Sequence, residues 1–188
     1  MARREVHFVP HECYHVYNRG YDKGRIFFER KNYTYYLEQF RKHIPASKVQ
    51  VLAYCLMPNH YHFLLRIIEG LDFSRAMKNF SIGYVKAINK KYMKVGHLFQ
   101  GAFQAIHVDS TEYLLHLSRY IHMNPVFAKL VHKPEEWNFS SYCRYLRIHE
   151  DPIVDPDFIL SHFQSVLDYK KFVEAISDAE AEKINGTF

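Results

Sequence analysis

Two histidines separated by one residue are the most suggestive pair of side chains in this sequence. His60 and His62 lie in a segment rich in strand-forming residues. Side chains at positions i and i+2 of a β-strand project from the same face. Two imidazoles on one rigid strand would provide half of a site for a divalent cation. The competing interpretation is a pair of surface histidines without a ligand, because the chain contains 13 histidines.

A tyrosine and an asparagine form a second candidate pair. Tyr120 and Asn124 are four residues apart in a segment with helical spacing, so they share one helix face. A neutral tyrosine, with a pKa of about 10, is a poor nucleophile, but a metal that polarises a phosphodiester would allow it to attack. The amide oxygen of Asn124 could complete the coordination, and Arg119 could contact a phosphate. The competing interpretation is a core tyrosine and a helix that ends before Pro125.

The elements that must position these residues follow from hydrophobic periodicity. Strands are predicted over residues 13–18, 49–56, 60–67 and 99–108, and helices over residues 29–43, 73–92 and 111–124. Ser110 or Thr111 could cap the last of these helices. The order predicts an α+β fold, a ferredoxin-like βαββαβ sandwich with an antiparallel sheet and additional helices.

The length and the cysteines indicate one main domain in a reducing compartment. Of the 188 residues, 1–150 are assigned to this domain and 151–188 to a C-terminal helical extension, in which residues 178–188 are expected to be poorly ordered. Cys13, Cys55 and Cys143 are widely spaced, which argues against a disulfide framework. No apolar run reaches the roughly 18–20 residues of a membrane helix, and no signal-peptide pattern is present. A cytoplasmic protein is therefore expected.

A modest excess of basic residues is compatible with a polyanionic partner. Lys and Arg outnumber Asp and Glu by 25 to 20, and the 15 Tyr and 15 Phe include rings that could stack on bases. Besides Arg119, the candidates for phosphate contacts are Arg19 and Lys23 near a glycine turn, and Lys86, Lys90 and Lys91 late in the second helix. A solvated helix face is the competing interpretation of these lysines.

Several segments resemble the single-tyrosine HUH transposases, and in particular their REP-associated group. The segment Leu56–Leu65 is similar to the family's His-hydrophobic-His motif, and Tyr113–Val126 is similar to its tyrosine helix. Shorter similarities occur at residues 14–20, 96–100 and 137–142. The resemblance therefore extends from about residue 11 to residue 145.

The resemblance implies a metal-dependent enzyme that cuts and rejoins single-stranded DNA at hairpins formed by palindromic repeats. His60 and His62 would bind Mg²⁺ or Mn²⁺, and Tyr120 would attack the scissile phosphate to leave a 5′-phosphotyrosine and a free 3′-hydroxyl. Asn124 would be the third ligand, although related insertion-sequence transposases commonly have Gln there. His116, one turn before Tyr120, is therefore an alternative ligand.

Other functions and assemblies stay open at this point. A catalytically silent protein that binds DNA hairpins is the main alternative, and a metalloprotein or metal-dependent hydrolase unrelated to DNA is a third. The presence of His60, His62 and Tyr120 together favours the enzyme. Tyr113, seven residues before Tyr120, is the second candidate for the nucleophile. Both a monomer and a homodimer are compatible with the resemblance, since some related enzymes share sites between two chains.

Overall fold

A four-stranded antiparallel sheet forms the centre of the structure, which is a computed structural model and describes residues 6–185. In chain order the strands are β1 (Cys13–Arg19), β2 (Val49–Met57), β3 (His60–Ile67) and β4 (Gln104–Val108). In space they are ordered β2-β3-β1-β4, and each neighbouring pair is antiparallel. This arrangement confirms the predicted ferredoxin-like α+β fold.

Three long helices lie on the two faces of this sheet. They are α1 (Arg30–His43), α2 (Phe73–Lys91) and α3 (Thr111–Phe127). Four shorter helices follow, α4 (Tyr142–Tyr145), α5 (Asp157–Leu160), α6 (Val166–Glu174) and α7 (Asp178–Asn185). In the part of the chain that the structure describes, no helix combines the length and the apolar character needed to cross a membrane.

The side chains of β3 alternate between an aromatic face and a polar face of the sheet. Phe63 stacks on Phe40 of α1 with ring centroids 4.5 Å apart. The neighbouring His62 projects in the opposite direction, and its ring centroid lies 5.8 Å from that of Tyr120 in α3. Because successive side chains of a strand point to opposite faces, α1 and α2 cover one side of the sheet and α3 covers the other.

Helix α3 continues past the proline at which the sequence predicts its end. It extends to Phe127, with Pro125 inside the last turn. Proline has no backbone N–H and therefore removes one helical hydrogen bond. The Ala128 N–H still donates to the Asn124 carbonyl at 3.0 Å and closes the turn. The prediction that the helix ends at Asn124 is therefore wrong by about one turn.

Strand β4 is shorter than the predicted strand over residues 99–108. It begins at Gln104, because the preceding residues form a loop across the end of β1. In this loop Phe99 forms an isolated bridge with Gly20, and the Gln100 N–H donates to the Arg19 carbonyl at 3.0 Å. The loop thus lies beside the last residue of β1, at one edge of the polar face.

The C-terminal segment packs on the same core as the sheet. Tyr169 of α6 is fully buried, and its hydroxyl lies 2.8 Å from Nδ1 of His122 in α3. Low order is expected from residue 178 onward, but Asp178–Asn185 form α7, because Ala181 and Ile184 are apolar and become buried. Residues 1–5 and 186–188 lie outside the described residues, and the domain boundary at residue 150 stays a prediction.

We expect Gly20→Ala to destabilise the protein and Gly83→Ala to stabilise it. A Cβ at Gly20 would lie 1.9 Å from the Gly24 carbonyl oxygen, so the turn must shift at a cost of about 1–3 kcal/mol. A Cβ at Gly83, inside α2, meets nothing within 4 Å, and alanine favours a helix over glycine by about 1 kcal/mol. Urea unfolding of both variants measures the two effects. An unchanged midpoint for Gly20→Ala would contradict the tight turn.

Candidate active site

The register between β1 and β3 brings four polar or aromatic side chains to the α3 side of the sheet. Tyr17 pairs with His62, and Arg19 pairs with His60. Directly opposed residues of antiparallel strands project from the same face. The two strands therefore form a rigid floor on which both imidazoles are adjacent, with ring centroids 5.0 Å apart.

Helix α3 places the second candidate pair directly above this floor. The Asn124 Oδ1 lies 3.1 Å from Nε2 of His60. The Tyr120 ring meets the His62 ring edge to face, with 81° between their planes. The two pairs that the sequence singles out separately are therefore brought together, and this happens within one chain.

A cavity of about 770 Å³ opens over these four side chains. Its remaining lining is mostly polar and comes from β1, the start of β4 and the loop before it, the end of α3 and the residues that follow it, and α7. These residues are Tyr17, Asn18, Arg19, Gln100, Gln104, Phe127, Ala128, Lys129, Ala181 and Glu182. A cavity of this size is within the range of ligand-binding sites, roughly 300–1,000 Å³.

His60 is held between two amide oxygens. Its Nδ1 lies 2.7 Å from Asn59 Oδ1, and its Nε2 lies 3.1 Å from Asn124 Oδ1. Burial, partly opposed by the hydrogen bond to Asn124, lowers the pKa of His60 to about 4, so at neutral pH the ring has a single N–H. The ring can donate to only one of the two oxygens. A cation between Nε2 and Asn124 Oδ1 would satisfy both atoms, as would an Asn124 amide turned over to present its N–H.

His62 is in contact with a third histidine, which no motif in the sequence singles out. His15 of β1 is fully buried, and its Nε2 lies 2.8 Å from Nδ1 of His62. Burial lowers the pKa of His62 well below its usual value, and the nearby His60 and His15 act in the same direction. The alternation of His15 with Tyr17 along β1 places both on one face, but only the register with β3 shows that His15 reaches His62.

Tyr120 is buried at the base of the cavity, with only 6% of its surface exposed. Burial raises the pKa of its hydroxyl, and a hydrogen bond with the Asn124 side chain opposes this shift. The hydroxyl is therefore protonated at neutral pH, and it would have to lose its proton to act as a nucleophile. Tyr113, the second candidate for the nucleophile, is not among the residues that line the cavity.

Arg119 and His116 are directed away from the cavity. Arg119 donates to Glu180 of α7 at 2.5 Å and to His116 Nδ1 at 2.8 Å. Its guanidinium also lies over the Phe172 ring, 4.7 Å from the centroid. This placement connects α3 to the C-terminal helices and does not bring Arg119 to a phosphate in the cavity. Asn124, rather than His116, is the side chain next to His60.

The structure brings one of the other predicted cations to the cavity. Arg19 is exposed and lines it, whereas Lys23 lies in the adjacent turn, where its carbonyl accepts from the Asn59 amide at 3.1 Å. Helix α2, which covers the opposite face of the sheet, carries Lys86, Lys90 and Lys91. Lys91 there forms an ion pair with Glu29.

The donors at the cavity are suited to a metal that also binds a ligand. Among residues 6–185, no three His, Cys, Asp or Glu side chains are grouped as a metal site. The donors that lie next to one another are the imidazoles of His60 and His62 and the amide oxygen of Asn124. Such an incomplete set fits a divalent cation whose remaining positions are taken by phosphate oxygens and water.

Comparison with known proteins identifies a family and a shared fold. The chain is 28% identical over 158 residues to a Haemophilus influenzae protein named as a REP-associated tyrosine transposase. The alignment covers 68% of this chain and 85% of that protein. A solved structure of a REP-associated tyrosine transposase bound to a REP hairpin has a TM-score of 0.66. It covers 82% of this chain and 98% of the other, at 16% identity, and thus shares the fold.

The family assignment depends on a match to most of the chain. A family model described as "Transposase IS200 like" matches residues 10–124. This segment includes all four strands of the sheet and α3 as far as Asn124. It therefore contains His60, His62, Tyr120 and Asn124, the four candidate side chains that meet at the cavity. The chain belongs to the IS200-like transposase family.

Proposed function

We propose that this protein is a divalent-metal-dependent endonuclease and strand transferase that nicks single-stranded DNA at hairpins and rejoins the ends. The observation that carries the proposal is that Tyr120 and Asn124 lie over His60 and His62 in one shared cavity. A buried hydroxyl beside two neutral imidazoles and an amide oxygen is an arrangement for phosphoryl transfer to tyrosine.

The metal would be held by His60, His62 and Asn124, with Mg²⁺ or Mn²⁺ as the candidate ions. The Asn59 oxygen accepts a hydrogen bond at Nδ1 of His60, so that the Nε2 lone pair is directed toward Asn124. Imidazole suits Mn²⁺, whereas Mg²⁺ prefers oxygen ligands. A bound divalent cation would polarise the scissile phosphate and stabilise the negative charge that develops on it.

Tyr120 would supply the nucleophile. Its Oη forms a bond to phosphorus as the bond between phosphorus and the 3′ oxygen breaks. The hydroxyl loses its proton, and the departing 3′ oxygen gains one. The products are a 5′-phosphotyrosine and a free 3′-hydroxyl. A 3′-hydroxyl then attacks the phosphotyrosine, which restores Tyr120 and joins the strand.

Asn124 would connect the nucleophile to the metal site. Its Oδ1 is next to His60 Nε2, and its side chain also forms a hydrogen bond with Tyr120 that lowers the pKa of that hydroxyl. An amide has one acceptor oxygen and one donor nitrogen. With the oxygen toward the metal, the amide N–H would donate to the tyrosine oxygen as negative charge develops there.

The DNA would enter through the polar mouth of the cavity. Arg19 is exposed at this mouth and can contact a phosphate, and Gln100 and Gln104 can hydrogen-bond to base edges. Tyr17 provides an aromatic ring on the floor for base stacking. Recognition of a hairpin is proposed from the shared fold with the transposase bound to a REP hairpin.

We expect a covalent protein–DNA adduct that requires both metal and Tyr120. Labelled single-stranded hairpins from repeats of the source genome would be incubated with protein and Mn²⁺ or Mg²⁺ and analysed on a denaturing gel. The adduct should be absent with EDTA, with His60→Ala and with Tyr120→Phe, and Tyr113→Phe should retain it. An adduct that persists in Tyr120→Phe would identify another nucleophile. Tight hairpin binding in EDTA without any adduct would instead indicate a silent binding protein.

We expect Asn124→Ala to weaken Mn²⁺ binding and His116→Gln to leave it unchanged. Asn124 lies next to His60, whereas His116 is hydrogen-bonded to Arg119. Loss of one ligand should lower the affinity about tenfold, or ~1.4 kcal/mol. Isothermal titration of Mn²⁺ into the three proteins, in the absence of DNA, measures the difference. A larger loss in His116→Gln would assign the third ligand to His116.

We expect Arg19→Gln to weaken hairpin binding more than Lys86→Gln. Arg19 lines the cavity, whereas Lys86 is on the helix layer across the sheet. If Arg19 contacts one phosphate, its loss should reduce the slope of log affinity against log salt concentration by about 0.7–0.9. Fluorescence anisotropy at several salt concentrations, with EDTA to prevent cleavage, gives both slopes. An equal change in the two variants would argue against entry of DNA at Arg19.

A further inference from the structure

His15 and His62 are joined by a hydrogen bond in the plane of both rings. The two nitrogens are 2.8 Å apart, the ring centroids are 5.0 Å apart, and the planes are inclined by only 16°. This combination describes two nearly coplanar rings that meet edge to edge. His15 is also stacked on Tyr17, with centroids 4.8 Å apart. One of the two nitrogens donates and the other accepts, and the tautomers of the two rings determine which.

The direction of this hydrogen bond determines what the opposite edge of His62 can do. In its neutral form, which is the form that binds metals, an imidazole has one N–H and one lone pair. If His62 donates through Nδ1, its Nε2 has the lone pair and can bind a cation. If His15 donates instead, the proton of His62 is on Nε2, and that nitrogen cannot be a ligand.

The neighbouring His60 has an acceptor beside its own Nδ1. Its Nδ1 is 2.7 Å from Asn59 Oδ1. An amide oxygen only accepts, so Nδ1 of His60 is the donor and Nε2 has the lone pair. His15 Nε2 occupies the same position relative to Nδ1 of His62, at 2.8 Å. Each of the two histidines therefore has a protein group placed to accept from Nδ1.

An imidazole is well suited to this position in the sheet. Histidines that bind metals commonly donate their other N–H to a carboxylate or a carbonyl. His15 is 0% exposed, and a buried carboxylate there would cost several kcal/mol in desolvation. A neutral imidazole accepts the same hydrogen bond without introducing a charge. Its position in β1, opposite Leu64 and Ile106, restricts its movement.

We infer that His15 is a positioning residue that accepts the Nδ1 proton of His62 and so keeps the Nε2 lone pair of His62 directed into the cavity as a metal ligand. The inference rests on the metal site of the proposed function. In this arrangement, His15 of β1 supports His62, and Asn59 of the turn before β3 supports His60.

The tautomer of His62 tests the inference without any metal. Long-range ¹H–¹⁵N spectra of the metal-free, ¹⁵N-histidine-labelled protein distinguish a protonated Nδ1 from a protonated Nε2. We expect His62 to be protonated at Nδ1 and His15 to have its lone pair at Nε2. A proton on Nε2 of His62 would overturn the inference. Because this measurement uses the wild-type chain, it does not depend on the folding of a variant.

Mn²⁺ binding tests the same inference through substitution. His15→Phe keeps a buried ring but removes the acceptor, and we expect it to bind Mn²⁺ about 10–100-fold more weakly. His15→Gln, whose amide oxygen can accept, should recover part of the affinity. His122→Phe is the matched control, because His122 is equally buried and is hydrogen-bonded to Ser141 and Tyr169 outside the cavity. It should lose thermal stability but keep the wild-type affinity.

The outcomes separate this inference from the proposed function. Wild-type affinity in a folded His15→Phe protein would overturn the role of His15 and leave the metal site standing. No Mn²⁺ binding by the wild-type chain would overturn the metal site, and the His62 tautomer would then decide the inference by itself. An equal loss of affinity in His15→Phe and His122→Phe would assign both effects to general destabilisation and overturn the inference.

Discussion

The antiparallel pairing of β1 with β3 is the constraint on which the rest of the site depends. It sets Tyr17 opposite His62 and Arg19 opposite His60, so that one face of two strands carries the candidate ligands together with the side chains proposed to contact a phosphate and to stack on a base. A shift of one residue in this register would turn a whole strand over. His60 and His62 would then face α1, and Tyr61 and Phe63 would face α3. Phe63 must face α1 to pack on Phe40, and this packing opposes such a shift.

Burial gives the site its electrostatic character. The base of the cavity is largely shielded from solvent, since His15, His62 and Tyr120 are at most 6% exposed. Desolvation disfavours charged forms, so the imidazoles stay neutral and the phenol stays protonated. Neutral imidazoles are the form that binds metals. The same environment makes an isolated phenolate unfavourable, so in the proposed reaction a cation and the Asn124 amide would stabilise the negative charge that develops there.

The C-terminal helices hold α3 in its place over the sheet. Arg119 joins α3 to Glu180 of α7, and His122 joins it to Tyr169 of α6. These contacts use the faces of α3 that do not carry Tyr120 and Asn124. The extension is thus part of the architecture that positions Tyr120, and α7 also contributes Glu182 to the wall of the cavity.

The sequence by itself determined the local elements and the pairing of side chains within each of them. Hydrophobic periodicity predicts the start of β1, β2, β3 and the three long helices within one residue, and strand and helix spacing predicts that His60 shares a face with His62 and Tyr120 with Asn124. Only the tertiary structure decided which faces meet. It turned Arg119 toward α7, put the α2 lysines across the sheet, and brought His15 to His62. Periodicity specifies directions within one element, whereas contacts between distant segments are set by sheet register and core packing.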